Sequence, residues 1–174
     1  MKVALQVNMT RTNAYNVAVD VCNHLKSIGI ETLMNVELSE FFKDADVVFL
    51  NAESCIEKCD IVISIGGDGT IIHASHFAAK YDKPILGINA GRLGFIAGLE
   101  KQELHLLKNL FNGKYTVDKR MMLKVSQISD NTTKGEWYCL NDCIVARGNS
   151  LRLCEIEATY DKGKINTFIG DGLI

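Results

Sequence analysis

Between Ile61 and Thr70 the chain runs Ile-Val-Ile-Ser-Ile and breaks into Gly66-Gly67-Asp68-Gly69-Thr70. Apolar residues then resume as Ile71-Ile72-His73-Ala74. The first five residues alternate β-branched and small side chains, which reads as a buried strand. Residues 70 to 80 read as a helix carrying Ile71, Ile72, Ser75, Phe77, Ala78 and Ala79. A strand that turns through glycines into a helix lets backbone amides approach phosphate closely. No Cβ stands in the way, and the helix presents the positive end of its dipole. Asp68 is the odd member, because its charge repels phosphate. It suits a metal-bridged site, or a base that takes a proton from a hydroxyl beside the phosphate. The turn is neither a P-loop, since no Gly-Lys-Ser/Thr ends it, nor Gly-x-Gly-x-x-Gly. By itself it also reads as an ordinary tight turn with Asp68 capping the helix.

Around this stretch the chain repeats strand, turn and helix. Residues 2 to 7 read as a strand. A helix follows with Thr10, Thr12 and Asn13 as candidate caps, a stripe of Ala14, Val17, Ala18, Val21, Leu25 and Ile28, and a stop at Gly29. Ile30 to Met34 reads as a second strand, Val47 to Leu50 as a short one and 52 to 58 as a helical turn. Lys83 to Asn89 reads as another strand, with Pro84 at its start where a missing N–H is tolerated. A helix over about 100 to 111 turns Leu104, Leu107, Leu110 and Phe111 inward and ends at Gly113. Repeated units of this length predict a doubly wound, Rossmann-like α/β domain over 1–113, with ligands at the carboxyl ends of its strands.

Past Lys114 the character changes. Met121 to Ile128, Trp137 to Val145, Leu153 to Tyr160 and Ile165 to Ile169 read as extended segments. They are split by turn-rich runs at 130–135 and 161–164. Residues 114–174 are therefore expected to open an all-β domain of antiparallel hairpins. About four strands in ~60 residues fall short of a barrel or sandwich, so this domain is expected to be incomplete and the chain truncated.

Bulk properties narrow the function. A formal charge of −2 over 174 residues gives no electrostatic case for a nucleic-acid partner. No apolar run approaches the ~18 residues of a membrane span, and the N-terminus turns polar too soon for a signal peptide. Cysteines at 22, 55, 59, 139, 143 and 154 show no C-x-x-C. They read as buried small hydrophobes, and the expected location is the cytoplasm.

Four ordered motifs carry a resemblance to a known family. Gly66-Gly67-Asp68-Gly69-Thr70 after an apolar strand is similar to the signature turn of NAD kinases, shared with diacylglycerol, sphingosine and 6-phosphofructo-kinases. Gly87-Ile88-Asn89-Ala90-Gly91-Arg92-Leu93-Gly94-Phe95 resembles the NAD kinase loop ending in Gly-x-Leu-Gly-Phe. Leu140-Asn141-Asp142, followed by apolar residues and Arg147-Gly148, resembles the family's Asn-Glu/Asp motif. Gly170-Asp171-Gly172-Leu173-Ile174 resembles the segment that leads into its Thr-Pro-Thr-Gly-Ser-Thr-Ala-Tyr run. That run is not in this sequence, and Ile169 stands where some members carry Arg.

The resemblance implies transfer of the γ-phosphoryl of ATP, or of polyphosphate, to the adenosine 2′-hydroxyl of NAD. Asp68 would be the catalytic base, and Gly66, Gly67, Gly69 and Thr70 the phosphate cradle. NAD would be contacted by His73, Phe95, Asn141, Asp142, Arg152 and Asp171. Each has a plainer reading: a surface histidine for His73, core packing for Phe95, an Asx turn for Asn141-Asp142, a solvated arginine for Arg152, a hairpin aspartate for Asp171. Arg92 keeps no assigned role. A divalent metal, Mg²⁺, would arrive on the ATP phosphates without a protein cage. The full-length protein would be a homo-oligomer, dimer or tetramer, with neither membrane nor nucleic acid as partner. A lipid or sugar kinase of the same superfamily and a non-catalytic NAD-binding fragment are the competing readings.

Overall fold

The computed structural model describes residues 1–91 and 94–174. Arg92 and Leu93, part of the Gly-x-Leu-Gly-Phe motif, lie outside the described residues. Two compact units result, Met1–Met121 and Met122–Ile174.

In the first unit the elements follow as β1 (Lys2–Val7), α1 (Ala14–Ser27), β2 (Glu31–Asn35), β3 (Val48–Leu50), α2 (Ala52–Lys58), β4 (Ile61–Gly66), α3 (Asp68–Lys80), β5 (Ile85–Asn89), β6 (Leu99–Glu100) and, after a 3₁₀ turn, α4 (Leu107–Phe111). The strands form one sheet in the order β3-β2-β1-β4-β5-β6, every neighbouring pair parallel. Both faces of such a sheet are covered, so its central strands are apolar throughout and successive side chains feed opposite layers. Val3, Leu5, Ile61, Ile63 and Ile65 enter one layer with Ala14, Val17, Val21 and Leu25 of α1 and Leu107 of α4. Ala4, Leu33 and Val62 enter the other with Cys55 and Ile56 of α2 and Ala78 of α3. The unit is α/β and doubly wound.

Several local expectations are corrected. Asn13 precedes α1 but makes no side-chain cap, and Thr10 bonds to Asn8 Oδ1 from its backbone amide at 3.1 Å and its hydroxyl at 2.7 Å. Ile28 lies outside the buried stripe, because α1 ends at Ser27 ahead of the left-handed Gly29, φ +73°. Phe77 and Ala79 are exposed on α3. Only the second half of the helix expected near 100–111 is α-helical, residues Lys101–Leu106 being 3₁₀.

The second unit holds β7 (Leu123–Ser129), β8 (Thr132–Cys139), β9 (Val145–Ala146), β10 (Cys154–Tyr160), β11 (Gly163–Gly170) and β12 (Gly172–Leu173). They pair antiparallel as β7–β8, β10–β11 and β9–β12. The turn expected over 130–135 is only Asp130-Asn131, both with positive φ, so β8 starts earlier than the sequence suggests. Two consecutive left-handed residues make the mirror-image turn whose twist matches a hairpin. The strand expected from Trp137 to Val145 breaks at the bend of Leu140-Asn141. Cys139, Cys143 and Cys154 are half-exposed, not buried, because the hairpins cover neither face of their strands fully.

Candidate active site

β1 leads into α1 on one face of the sheet, while its neighbour β4 leads into α3 on the other. Diverging connections from adjacent parallel strands open a crevice at their carboxyl ends, where α/β sheets bind ligands. The glycine-rich turn lies there. Gly66, the last residue of β4, has no room for a side chain, since a Cβ would overlap Thr70 and stand 2.7 Å from its Cβ. Gly67 caps α3 with its carbonyl, which accepts from the amides of Thr70 at 2.9 Å and Ile71 at 3.3 Å. Across the crevice the Asn8 side-chain amide donates to Thr70 Oγ1 at 3.0 Å, and the Asn8 backbone amide donates to Ile65 O at 3.0 Å. Asn8 thus ties the two strand ends together.

Asp68 is the first residue of α3, two positions earlier than the sequence suggests. Its carboxylate accepts from the backbone amides of Phe95 at 2.9 Å and Ile96 at 3.2 Å. A Cβ on Gly94 would overlap Asp68 Oδ1 and stand 2.8 Å from Cγ, so glycine is required for this approach. The loop that supplies the amides is braced behind by Asn89, which is buried. Its side-chain nitrogen donates to both Glu100 oxygens, at 3.0 and 3.1 Å, and its Oδ1 accepts from the Gly91 amide at 3.0 Å. A carboxylate has about four lone-pair sites, so two amide bonds orient Asp68 and leave it acceptor capacity for a hydroxyl.

From Gly69 and Thr70 a cleft of about 690 Å³ runs between α2 and α3, past Asn8, Asn35, His73 and Phe77 to Glu53 and Lys80. Its far rim is closed by Glu53 Oε1, which accepts from Lys80 Nζ at 2.6 Å and Tyr81 Oη at 2.5 Å. The Lys80 hydrogen bond, then that of Tyr81, holds the Glu53 carboxyl below its ordinary range. The same contacts raise Lys80, and the bond to Glu53 raises Tyr81.

The first unit brings Gly66, Gly67, Asp68, Gly69, Thr70, His73 and Phe95 to one end of its sheet. His73 is exposed on the cleft wall, its ring 5.2 Å from that of Phe77 and 6.4 Å from that of His76. Core packing does not account for Phe95, which is 96% exposed. The other expected residues belong to the second unit. Asn141 and Asp142 are exposed at and just after the bend that follows β8, and Arg152 is exposed beside Ser150, whose Oγ accepts its backbone amide at 3.2 Å. Asp171, between β11 and β12, accepts from Arg147 Nε at 2.7 Å, while the Arg147 amide donates to Asp171 O at 3.0 Å. Sequence reasoning did not single out Asn8 or Glu100, and it left Asn89 and Arg147 within motifs without roles. The polar residue at the end of β1 was the one available hint, since switch-point ligands lie beside the first strand. Among the described residues no three His, Cys, Asp or Glu side chains are grouped to hold a metal ion, and no helix is long and apolar enough to cross a membrane.

Comparison with known proteins places the fold in a family. The family model of the ATP-NAD kinase N-terminal domain matches residues 3–115. An NAD kinase of Syntrophotalea carbinolica is 30% identical over 174 residues, covering 99% of this chain and 61% of that protein. One from Natranaerobius thermophilus is 40% identical over 119 residues, covering 68% of this chain and 42% of that protein. The chain thus spans 42 to 61% of the length of these curated relatives. The crystal structure of yeast NADH kinase complexed with NADH superposes with a TM-score of 0.83 at 19% identity, covering 99% of this chain and 56% of the other, a likeness of fold. From the match over residues 3–115, together with the turn and loop that meet at Asp68, the chain belongs to the ATP-NAD kinase family.

Proposed function

We propose that this chain supplies the nucleotide-binding part of an NAD kinase, which transfers the γ-phosphoryl of ATP, or of polyphosphate, to the adenosine 2′-hydroxyl of NAD. The observation that carries the reading is the placement of Asp68. A single carboxylate, pinned by two amides, stands in the first turn of α3 at the switch point of the sheet. Phosphoryl transfer asks the protein mainly for positioning and charge stabilisation. The amides at the start of α3, with Thr70, hold the donor's phosphates, and Mg²⁺ carried by those phosphates neutralises their charge. Asp68 accepts the proton of the 2′-hydroxyl as its oxygen attacks the γ-phosphorus, and ADP leaves. The cleft between α2 and α3 adjoins Gly69, Thr70 and His73.

On the acceptor, the exposed ring of Phe95 lies against adenine, and His73 and Arg152 face the dinucleotide. Asn141 reads the adenine edge, Asp142 holds ribose hydroxyls, and Asp171 stands toward the nicotinamide end. The same reading has the full-length protein a cytoplasmic homo-oligomer. That the chain spans 42 to 61% of its relatives favours one further reading, an NAD-binding fragment without turnover of its own.

Incubating the chain and a full-length form with Mg²⁺-ATP and NAD, and measuring NADP, separates the two. Activity in the longer form alone supports the fragment, and none in either form removes the kinase reading. In the active form Asp68→Asn is expected to lower turnover by ~10²–10⁴-fold, the usual weight of a general base. The NAD dissociation constant should move by less than about threefold, under ~1 kcal/mol. Equal loss of binding and turnover would make Asp68 structural.

A further inference from the structure

We propose that Asn89 and Glu100 are a positioning pair that keeps the Asp68 carboxylate in place through the loop between them. The inference rests on the proton-accepting role proposed for Asp68 and names the side chains on which that role depends. Asn89 ends β5 and Glu100 ends β6, and the parallel register sets them side by side. Their neighbours Ile88 and Leu99 pack into the layer of α1 and α4. Both side chains therefore stand on the opposite face, the side of α3. Asn89 is 3% exposed and uses both ends of its amide. Its Oδ1 accepts from the Gly91 amide at 3.0 Å, and its nitrogen donates to the two Glu100 oxygens at 3.0 and 3.1 Å. This orientation is dictated at both ends, because a backbone amide only donates and a carboxylate only accepts. Bonds to an ionised acceptor are also the stronger kind.

What the pair holds is a loop closed at its stem. The Ala90 amide donates to Gly66 O at 3.0 Å and the Gly98 amide to Gly87 O at 2.9 Å, so both ends of the segment are tied to strands. Between them Phe95 and Ile96 turn their amides to Asp68. Asn89 grips the way out through Gly91 and the way back through Glu100. One buried side chain thus sets how far the loop reaches toward α3. The polarity of its bond to Glu100 is what a substitution can reverse. Asn89→Asp sets two carboxylates face to face where burial makes like charges costly. The loop relieves that repulsion by moving, and Asp68 loses its donors. Adding Glu100→Gln turns the bond round: the new amide at position 100 donates to the new carboxylate at position 89, which still accepts from Gly91.

The test has two arms, both in mildly alkaline buffer so that the paired carboxyls do not share a proton. The first follows amide exchange in the chain by NMR and needs no activity. Asn89→Asp is expected to speed exchange at Phe95 and Ile96 about tenfold while β1 and β4 keep their protection. Adding Glu100→Gln should restore the slow rates. Unchanged exchange in Asn89→Asp, or a double variant as fast as the single one, would overturn the brace. Loss of protection across the whole sheet would overturn it too, since the pair would then hold the fold and not the loop. The second arm measures turnover of the full-length form at saturating NAD. Asn89→Asp should lower kcat ~10²-fold, as a misplacement of about 1 Å does, and the reversed pair should recover most of it. In an Asp68→Asn background the same change should cost less than about threefold, because no base is left to misplace. An equal loss in both backgrounds would overturn the positioning role. An inactive wild type would count against the kinase reading alone, while exchange at Phe95 and Ile96 still decides the brace.

Discussion

All six residues of β4 in the first unit are buried, whereas not one residue of β7, β8, β10 or β11 in the second is. The first unit holds its strands by packing both faces of the sheet. The second relies on hairpin hydrogen bonds and on surface ion pairs such as Lys124–Glu136 at 2.8 Å, Lys164–Glu157 at 2.6 Å and Arg147–Asp171 at 2.7 Å. Exposed pairs of this kind add little, because water screens them and ordering two long side chains costs entropy. The contrast teaches where fixed geometry can come from. The Asp68 carboxylate is anchored in the packed unit, whereas Asn141, Asp142 and Arg152 are carried exposed beside the hairpins.

The largest test of this contrast is a pair of truncations. Ile63→Ala in the packed sheet should cost ~2–5 kcal/mol in urea unfolding. Ile165→Ala, 64% exposed on β11, should stay within about 0.5 kcal/mol. Comparable losses would mean that the hairpins are packed after all. Gly94→Ala comes next. Its Cβ displaces the Asp68 carboxylate, and misplacement of this size costs ~10²-fold in turnover, so a wild-type kcat would show that the pin is dispensable.

Thiols sharpen the comparison with pH. Burial pushes Cys22 up to about 11 from 9.0. A raised folded value means its contribution is complete below pH 9.0 and is lost as pH rises toward 11. Over that range the loss amounts to ~2–3 kcal/mol. Cys22→Ala should flatten the alkaline fall in stability, and thiol reagents should label Cys139 and Cys143 before Cys22. The smallest effect belongs to the exposed rim of the cleft. Glu53 is depressed by Lys80 and Tyr81, so its contribution is present above pH 4.5 and fades as pH falls below it. Lys80 and Tyr81 are raised, so theirs fades in alkali. The small Tm difference between wild type and Glu53→Gln should therefore close in acid, and a gap that persists there would assign the effect to packing.

Much of the packed unit was legible because its signals are local. Runs of β-branched residues, helical stripes and glycine stops mark β1, α1, β4 and β5 without reference to anything distant. The arrangement around Asp68 was not, since its partners, the amides of Phe95 and Ile96, are 27 and 28 residues away and backbone donors leave no mark on side-chain identity. Asn8 escaped notice for a similar reason, its partner Thr70 being 62 residues on. In the hairpins the turn at Asp130-Asn131 was overextended because Thr132 to Gly135 are polar yet extended. Polarity marks a loop only where one strand face is buried, and here neither is.

Gly66 faces Asn89 in the ladder between β4 and β5, and that alignment delivers the two amides to Asp68. A displacement of a single residue along this seam would turn the side chains of β5 to the opposite face and carry the donors out of range. Where Asp68 acts as proposed, turnover would be a gauge of correct assembly finer than any measure of helicity or compactness. A preparation that is misaligned there would look folded by circular dichroism and yet be chemically silent.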